Sequence, residues 1–509
     1  LPMRLNMPQV VQVNLTGRLR PGCNAKDVIL TLLSRLGVSG GLGKVFEYTG
    51  PGVETLEVPE RGTIANMGAE LGATSSVFPA DEQVRRFFAA QEREQDFVSL
   101  QADPGCSYDE RIDIDLSALK PLIACPHQPD NVTTVELVEK KPVRQVFIGS
   151  CTNASYADIA KAALVFQGRH VHEDVSCTCG VATRQIYKQL LHDGYLDMLL
   201  DAGVRLLEIS CGPCCGIGQV PPTDGVSLRT SNRNFKGRGG SADALLYLAS
   251  PETAAASAIT GTFTTAQELL GEDVEKLSQV REPEHYSIDD SMLLPPLPQE
   301  EAQQREIVRG PNIQPLPIPQ PPAEQLRAGV SLKAGDNVST DDITPASAQL
   351  SSMRSNIPLL AQYAFHRYDP DFVSRAKELR QSIIVAGENY GQGSSREHAA
   401  ITPMYLGVCA VIAKSMARIH KSNLINHGIV PLIFEDPQDY DRIAQGHALE
   451  ISPFREGIAS RRLTVRDVDG NFTCPVWLEL SDNELEVVLA GGRLRYIRTQ
   501  CEQQGEAAL

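Results

Sequence analysis

Several features that would place this chain in a special class are missing from its sequence. No apolar run approaches the roughly 18 residues that a membrane-spanning helix needs. The opening LPMRLNMPQV lacks the charged and apolar regions of a secretory signal. No run of basic residues interrupts the formal net charge of -16, which argues against an electrostatic surface for nucleic acid or membranes. We therefore expect a cytoplasmic protein without membrane or nucleic-acid partners.

Cysteine is present but sparse. Twelve cysteines in 509 residues are far fewer than a small disulfide-stabilised secreted protein contains, so free or metal-bound thiols are expected. Six of them stand alone and are interpreted as small buried or inert side chains. The other six form groups at Cys151, at Cys177 and Cys179, and at Cys211, Cys214 and Cys215.

The sequence also lacks a fixed-period repeat, and its length suggests three or four domains. Apolar strand-like runs alternate with helical patterns on both sides of a proline-rich stretch, which predicts a multi-domain α/β fold with parallel or mixed sheets flanked by helices. We predict an α/β domain over residues 1–125, a second over 126–290, a linker over 291–328 and a third α/β domain over 329–509. The linker prediction rests on nine of the 33 prolines, which fall between Pro295 and Pro322.

Cys151 and Cys211 each follow a predicted strand. Cys151 comes after VRQVFIG and before a helical pattern, and Cys211 comes after VRLLEIS. Ligands of open parallel sheets collect beyond the carboxyl ends of the strands, so these thiols and Cys214 could converge on one inorganic centre. A structural zinc would need four ligands, to which Cys177 and Cys179 could contribute. An iron–sulfur cluster could accept three thiolates and leave one iron open, while a Cys-x-x-Cys spacing alone also fits a redox pair.

Arginine and serine residues supply possible anion binders. Arg233 and Arg238 follow the cysteine-rich segment in RTSNRNFKGR and could clamp carboxylates, although exposed loop arginines are the commoner case. In GENYGQGSSREHAA we predict a glycine turn and then a helix beginning with Ser394, Ser395 and Arg396, whose positive end favours an anion. Ser394 and Glu397 also have the spacing of an ordinary capping box.

These segments resemble the aconitase family, which includes homoaconitase and isopropylmalate dehydratase. The matching segments are VFIGSCTN, SCGPCCGIGQ, TSNRNFKGR, GENYGQGSSREHAA, EYTGPGVETLEVPERGTIANMGAELGATSSVFP and GDNVSTDDITPA. The resemblance covers nearly the whole chain in family order. It implies an iron–sulfur site in the first part and a C-terminal swivelling α/β domain in the same chain, as in single-chain aconitases.

The resemblance also implies roles for individual residues. The ligands of a [4Fe–4S] cluster fall on Cys151, Cys211 and Cys214, leaving one iron open. Residues near the cluster or acting on the substrate are Asn66, Glu70, Asn232 and Asp341, the carboxylate binders are Arg233, Arg238, Arg354, Ser395 and Arg396, and the base is Ser394. The implied reaction interconverts citrate and isocitrate through cis-aconitate, and the implied molecule is a monomer that binds a tricarboxylate.

Some features depart from the family pattern. Cys215 stands where an aliphatic residue is common, SCTCG replaces a segment that is usually free of cysteine, and Asp342 stands where His is common. No match is found to the family's N-terminal segment, with its Ser-His-Thr-Pro-type motif and Asp-His pair. We therefore expect the chain to lack that segment and, alone, to have little activity.

Three alternative functions follow from the sequence. The substrate could be homoaconitate, 2-methylisocitrate or isopropylmalate, although a cation at Arg354 suits the distal carboxylate of citrate better than an isopropyl group. The chain could be a cluster-free RNA-binding regulator, which its acidic charge disfavours. It could also be a structural zinc protein, which analysis of iron and sulfide would separate from the first interpretation.

Overall fold

The computed structural model describes residues 7–345, 350, 352–393 and 396–503 of the chain. The chain forms two compact units, Leu1–Pro295 and Pro296–Leu509, called here unit 1 and unit 2. Both combine helices with parallel or mixed sheets, so the predicted α/β class is confirmed. The finer predicted boundaries at residues 125 and 328 stay predictions.

Unit 1 begins with a four-stranded parallel sheet in the order β3-β2-β1-β4. Its strands are β1 (Gln9–Thr16), β2 (Lys44–Thr49), β3 (Ser75–Val77) and β4 (Glu110–Asp115). Alternate residues of β1 are buried, including Val11, Val13 and Leu15, because one face of the sheet packs on helices.

The second sheet of unit 1 has seven strands in the order β6-β5-β11-β10-β7-β8-β9. They are β5 (Leu122–Ala124), β6 (Val132–Thr134), β7 (Val143–Ile148), β8 (Ser176–Cys179), β9 (Arg205–Leu206), β10 (Val226–Arg229) and β11 (Leu245–Leu248). The strands from β11 to β9 are parallel, whereas β5 and β6 run antiparallel at one edge. The central strands β7 and β10 are almost wholly buried, as expected for a sheet covered on both faces.

Helices flank both sheets of unit 1. They are α1 (Ala25–Leu36), α2 (Val58–Gly68), α3 (Glu82–Ala90), α4 (Tyr156–Phe166), α5 (Arg184–His192), α6 (Tyr195–Asp201), α7 (Pro251–Thr260) and α8 (Ala266–Leu270). Capping boxes fix several helix starts: Asn24 with Asp27 begins α1, and Ser155 with Asp158 begins α4. These caps place the first turns of α1 and α4 at defined positions beside the sheet.

Unit 2 contains a closed barrel in the order β12-β13-β14-β15-β18-β17-β16. Its strands are β12 (Leu326–Ala334), β13 (Ser382–Ala386), β14 (Val408–Ala413), β15 (Val430–Phe434), β16 (Ala448–Ile451), β17 (Arg462–Asp467) and β18 (Phe472–Trp477). Alternate residues of β13 serve two cores: Ile383 and Val385 pack in one, and Ile384 and Ala386 pack in the other. The apolar run IIVA is continuous because both of its faces are covered.

Unit 2 also has helices around its barrel. They are α9 (Gln299–Gln304), α10 (Thr340–Ile343), α11 (Ile357–Leu360), α12 (Phe372–Leu379), α13 (His398–Tyr405), α14 (Arg418–Asn426), α15 (Asp439–Arg442), α16 (Phe454–Ser460), α17 (Asp482–Leu489) and α18 (Arg493–Gln503). Across the described ranges of the whole chain, no helix combines the length and apolarity that a membrane span requires.

Two predicted elements differ from the structure. The run VRLLEIS forms only the two-residue strand β9, and its later residues are exposed, with Ile209 46% accessible. The helix predicted to begin with Ser394, Ser395 and Arg396 begins instead at His398, and Arg396 is not helical. The positive end of that helix therefore lies after Arg396 in the sequence, and Ser394 and Ser395 lie outside the described residues.

Candidate functional site

The candidate site of unit 1 lies where the connections of its second sheet diverge. Strand β7 leads through α4 to β8 on one side, whereas β10, its other neighbour, leads to β11 on the opposite side. This arrangement opens a crevice beyond the carboxyl ends of β7 and β10. The Thr230 hydroxyl bridges the two turns, since its Oγ1 accepts from Gly149 N at 2.7 Å and donates to Gly149 O at 2.8 Å.

Cys151 lies in the turn after β7, and α2 holds that turn. Thr63 Oγ1 donates to Thr152 O at 2.7 Å, and Asn66 Nδ2 donates to Cys151 Sγ at 3.4 Å. Thr152 Oγ1 in turn donates to Asn66 Oδ1 at 3.0 Å. Thr63 and Asn66 are three residues apart and share one face of α2, so a single helix face positions an exposed thiol.

Cys211, Cys214 and Cys215 lie on a glycine-rich loop rather than at the end of a long strand. Residues Pro213–Cys215 form one turn of 3-10 helix that ends at Gly216, where φ is 75°. A Cβ atom at Gly216 would lie 2.2 Å from Gly239 O, so only glycine allows this close approach of two backbones. The turn buries Cys214 and leaves Cys211 and Cys215 exposed.

The thiols of the two turns interact with one another. Burial, and to a smaller extent the like charges of Cys211, Cys151 and Cys215, raises the pKa of Cys214 to about 12. The structure therefore brings together Cys151, Cys211 and Cys214, the three residues that the sequence predicts as ligands. Arg229 is the cation that acts in the opposite direction.

The donor set fits a cluster better than a single ion. Among the residues that the structure describes, no group of three or more His, Cys, Asp or Glu side chains could hold one metal ion. A tetrahedral zinc would need its sulfur ligands within about 2.3 Å of one point. An iron–sulfur cluster is held by thiolates that each bind a different iron, and this site offers three cysteine thiols.

Cys177 and Cys179 do not belong to the site. They lie on β8 in the apolar core of the second sheet and are 2% and 1% exposed. Burial raises the pKa of both thiols, that of Cys179 to about 12. Their role in the zinc interpretation is not supported, and the structure places them as core side chains.

A buried carboxylate lies just after α2, the helix that holds the Cys151 turn. Glu70 follows α2 by one turn, and its Oε1 accepts from Asn232 Nδ2 at 3.0 Å and from Arg233 Nε at 2.8 Å. Burial raises the pKa of Glu70, and the charges of Arg233 and Arg238 act against this shift. The Nε of Arg238 is buried and has no hydrogen-bond partner among the described residues, so this arginine has a donor left for a ligand.

Lys26, which the sequence did not indicate as a site residue, bonds to the turns that follow β7 and β10. This fully buried side chain donates from Nζ to Asn153 Oδ1 at 3.1 Å, to Thr230 O at 2.7 Å and to Ser231 O at 2.8 Å. Burial lowers its pKa to about 7, opposed chiefly by Asp158. A lysine in the first turn of an amphipathic helix ordinarily faces solvent, so the sequence carried no signal of this position.

Arg229 was also missed. It is the last residue of β10 and is wholly buried. Burial lowers its pKa to about 10, an effect that the Cys214 charge opposes. Its position at the end of a predicted strand carried no signal of burial, because an arginine there ordinarily faces solvent.

Unit 2 contains the remaining predicted residues. Arg396 Nη1 pairs with Asp341 Oδ1 and lies 3.4 Å from Thr344 O, which ties the segment before α13 to α10. Arg354 is exposed, and its carbonyl oxygen lies 3.2 Å from His398 Nε2. The structure thus groups Asp341 and Arg396 and places the backbone of Arg354 at the start of α13.

Family models match both parts of the chain. Residues 1–261 match the model of the aconitase family (aconitate hydratase), and residues 351–437 match that of the aconitase C-terminal domain. A mitochondrial aconitate hydratase of Candida albicans is 32% identical over 87% of this chain and 64% of its own length. A mitochondrial homocitrate dehydratase of Saccharomyces cerevisiae is 30% identical over 97% of this chain and 72% of its own length.

A third relative covers about half of the chain. The 3-isopropylmalate dehydratase large subunit 2 of Archaeoglobus fulgidus is 43% identical over 52% of this chain and 64% of its own length. The chain thus spans 64% of the length of two of these relatives and 72% of the third. From the two family models and these similarities we conclude that the chain belongs to the aconitase family of hydro-lyases.

Proposed function

We propose that the chain catalyses the reversible dehydration and hydration of a tricarboxylate, interconverting citrate and isocitrate through cis-aconitate. One observation carries the proposal: Cys151, Cys211 and Cys214 interact electrostatically, and Glu70, bonded to Asn232 and Arg233, lies just after the helix that holds the Cys151 turn. A single element, α2 with the turn that follows it, contributes both Asn66 to the Cys151 turn and Glu70 to that group.

Cys151, Cys211 and Cys214 would hold a [4Fe–4S] cluster, which supplies a Lewis-acidic iron for the substrate hydroxyl. Around it, Asn66 fixes the Cys151 thiol through its 3.4 Å hydrogen bond. Glu70, held by Asn232 and Arg233, is suited to handle a proton near the leaving hydroxyl, because burial raises the pKa of its carboxyl above its ordinary value.

Arginine residues would bind the substrate carboxylates. Arg233 is 41% exposed although it pairs with Glu70, and Arg238 keeps an unpartnered Nε, so both can turn donors toward an anion. In unit 2 we assign Arg354, Ser395 and Arg396 to the carboxylates, Ser394 as the base at carbon, and Asp341 as the carboxylate that orients Arg396. Several cations are needed because each unpaired buried carboxylate would be costly.

Other substrates of the same class are the alternative. One relative is a homocitrate dehydratase and another an isopropylmalate dehydratase subunit. The distal group of the substrate decides between them, since a carboxylate there needs a cation whereas an isopropyl group needs an apolar surface. The exposed cation Arg354 favours a carboxylate.

The test begins with the full 509-residue chain, reconstituted anaerobically with iron and sulfide. Binding is the readout, because little turnover is expected of the chain alone, and it is compared for citrate, homocitrate, 2-methylisocitrate and 3-isopropylmalate. We expect citrate to bind most tightly and to change the spectrum of the cluster, and Arg354→Ala to weaken citrate more than 3-isopropylmalate. Tighter binding of 3-isopropylmalate to the unmodified chain would refute the substrate assignment, and an absence of bound iron and sulfide would refute the cluster.

A further inference from the structure

Arg229 is a fully buried cation without a carboxylate partner in the described parts of the chain. Its Nε donates to Ser227 Oγ at 2.9 Å, and its Nη2 donates to Gln145 Oε1 at 2.9 Å. Both acceptors are neutral. Because a buried charge is costly unless it is compensated, its remaining neighbours have to account for its presence.

The neutral partners form a polar stripe on one face of the central strands. Ser227 and Arg229 are two residues apart on β10 and point to the same side, and Ser227 is paired in register with Gln145 on β7. Gln145 Oε1 also accepts from Ser227 Oγ at 2.7 Å. The bonds to this stripe fix the direction of the guanidinium independently of its contacts with the loop.

From this stripe the guanidinium reaches the cysteine loop, defined as residues 211–219. Arg229 Nη1 donates to Pro213 O at 2.6 Å, and Pro213 lies between the predicted ligands Cys211 and Cys214. Arg229 Nη2 lies 3.4 Å from Gln219 O, which also accepts from Gln145 Nε2 at 3.2 Å. One side chain therefore holds the backbone near both ends of the loop.

The same guanidinium faces the thiols. Electrostatic interactions join Arg229 to Cys214 and Cys215, and the other charged group that it interacts with is the like-charged Arg238. The cysteines of the loop therefore become the anions that balance this buried cation only when they are deprotonated, as they would be on binding the proposed cluster.

We propose that Arg229 is a positioning residue of the cysteine loop, which holds Pro213 and Gln219 in place and supplies the positive charge next to Cys214 and Cys215. The charge role of Arg229 rests on the proposed function, because it requires a bound cluster. The role of Arg229 in holding the loop does not, and it applies equally to the full chain without a cluster. Neither role follows from the spacing of the cysteines.

Four variants separate shape from charge. Arg229→Met removes the hydrogen bonds and the positive charge. Arg229→Lys keeps the charge but loses the planar guanidinium that reaches two carbonyl groups. Gln145→Glu keeps the bond from Arg229 to Pro213, offsets the charge with a carboxylate and loses the bond from Gln145 Nε2 to Gln219 O. Arg205→Met is the control, since Arg205 is an exposed arginine that touches the loop only through Gln219 Oε1 at 3.1 Å.

The first measurement is hydrogen–deuterium exchange of the cluster-free full chain. The amides of Cys215, Gly216 and Ile217 bond within the loop to Gly212 O and Pro213 O. We expect these amides to exchange at least about tenfold faster in Arg229→Met and Arg229→Lys, since a tenfold change corresponds to about 1.4 kcal/mol of local opening. Arg205→Met should match the parent chain, and unchanged exchange in both Arg229 variants would overturn the positioning role.

The second measurement is the reduction potential of the reconstituted cluster. A cation beside a ligand thiolate stabilises the reduced, more negative cluster. We expect more negative potentials in Arg229→Met and Gln145→Glu and a nearly unchanged potential in Arg229→Lys. If Arg229→Lys and Arg229→Met shift alike while Gln145→Glu does not shift, the charge role is wrong. A parent chain that binds no iron refutes the proposed function, and the exchange experiment still decides the loop role.

Discussion

Two groups of cysteines in unit 1 have similar sequence spacing but opposite environments. Cys177 and Cys179 are one residue apart on a strand, and both point into an apolar core. Cys211, Cys214 and Cys215 lie on a loop in which glycine permits a close backbone turn, and two of the three thiols remain exposed. The backbone that carries a thiol, more than the distance to the next cysteine, decides whether it can reach a ligand.

The largest expected effect tests this contrast within the cysteine loop. Cys214→Ser should remove most of the bound iron and sulfide, because a serine hydroxyl is a far poorer ligand for iron than a thiolate. Cys215→Ser should keep both, because that thiol has no ligand role in the proposed site. Iron and sulfide per chain, measured after identical anaerobic reconstitution, provide the comparison, and equal losses in the two variants would contradict the assignment of ligands.

A smaller effect is expected on the strand. Cys177→Ser should leave bound iron unchanged but lower the free energy of unfolding by about 1–3 kcal/mol, because it buries a hydroxyl in an apolar core. Urea unfolding of the cluster-free chain measures the loss, with Cys106→Ser at an exposed position as the control. If Cys177→Ser lost bound iron without losing stability, Cys177 would have to be counted among the metal ligands.

The convergence of the three ligand thiols could be predicted because it depends on topology. Cys151 follows a buried apolar strand, and the carboxyl ends of parallel strands share one edge. The predicted strand before Cys211 is almost absent, yet the cysteine still reaches that edge, because β9 pairs with β8 for two residues and the loop returns toward β10. The strand before Cys211 was predicted wrongly, but the predicted position of the Cys211 thiol did not depend on its length.

Lys26 and Arg229 could not be predicted in the same way. Their burial depends on segments that are far away in sequence: Lys26 binds carbonyl groups about 200 residues later, and Arg229 is covered by the cysteine loop. The local sequence around a charged side chain does not show that a distant segment will bury it. Buried cations under a site are therefore found only when tertiary structure is known.

The contrast between burial and exposure also separates two carboxylate–arginine pairs. The Glu70 side chain is 5% exposed and pairs with Arg233, whereas the Asp341 side chain is 54% exposed and pairs with Arg396. Solvent screens the second pair far more than the first, so substitutions in the two pairs should differ in their effects.

Glu70→Gln should change how stability depends on pH. Burial raises the pKa of Glu70 above the value of 4.5 expected in the unfolded chain, so the folded protein binds this proton more tightly. As pH rises from 4.5 through the higher pKa of the folded protein, the unfolded chain has lost its proton first, and stability falls. Glu70→Gln should remove the contribution of Glu70, so its urea midpoint should fall less than that of the parent chain between pH 4 and about pH 8. Glu136→Gln, at an exposed carboxylate, should show the same fall as the parent chain.

Asp341→Asn should have the smallest effect. It removes the charge of a half-exposed partner of Arg396, and exposed ion pairs contribute only about 0–1 kcal/mol to folding. The change in unfolding free energy should shrink further as salt is raised, because mobile ions already screen the pair. A salt-independent loss above about 2 kcal/mol would mean that Asp341 is as strongly coupled to its surroundings as a buried carboxylate. The exposure of the two carboxylates would then no longer explain the difference between the Glu70 and Asp341 pairs.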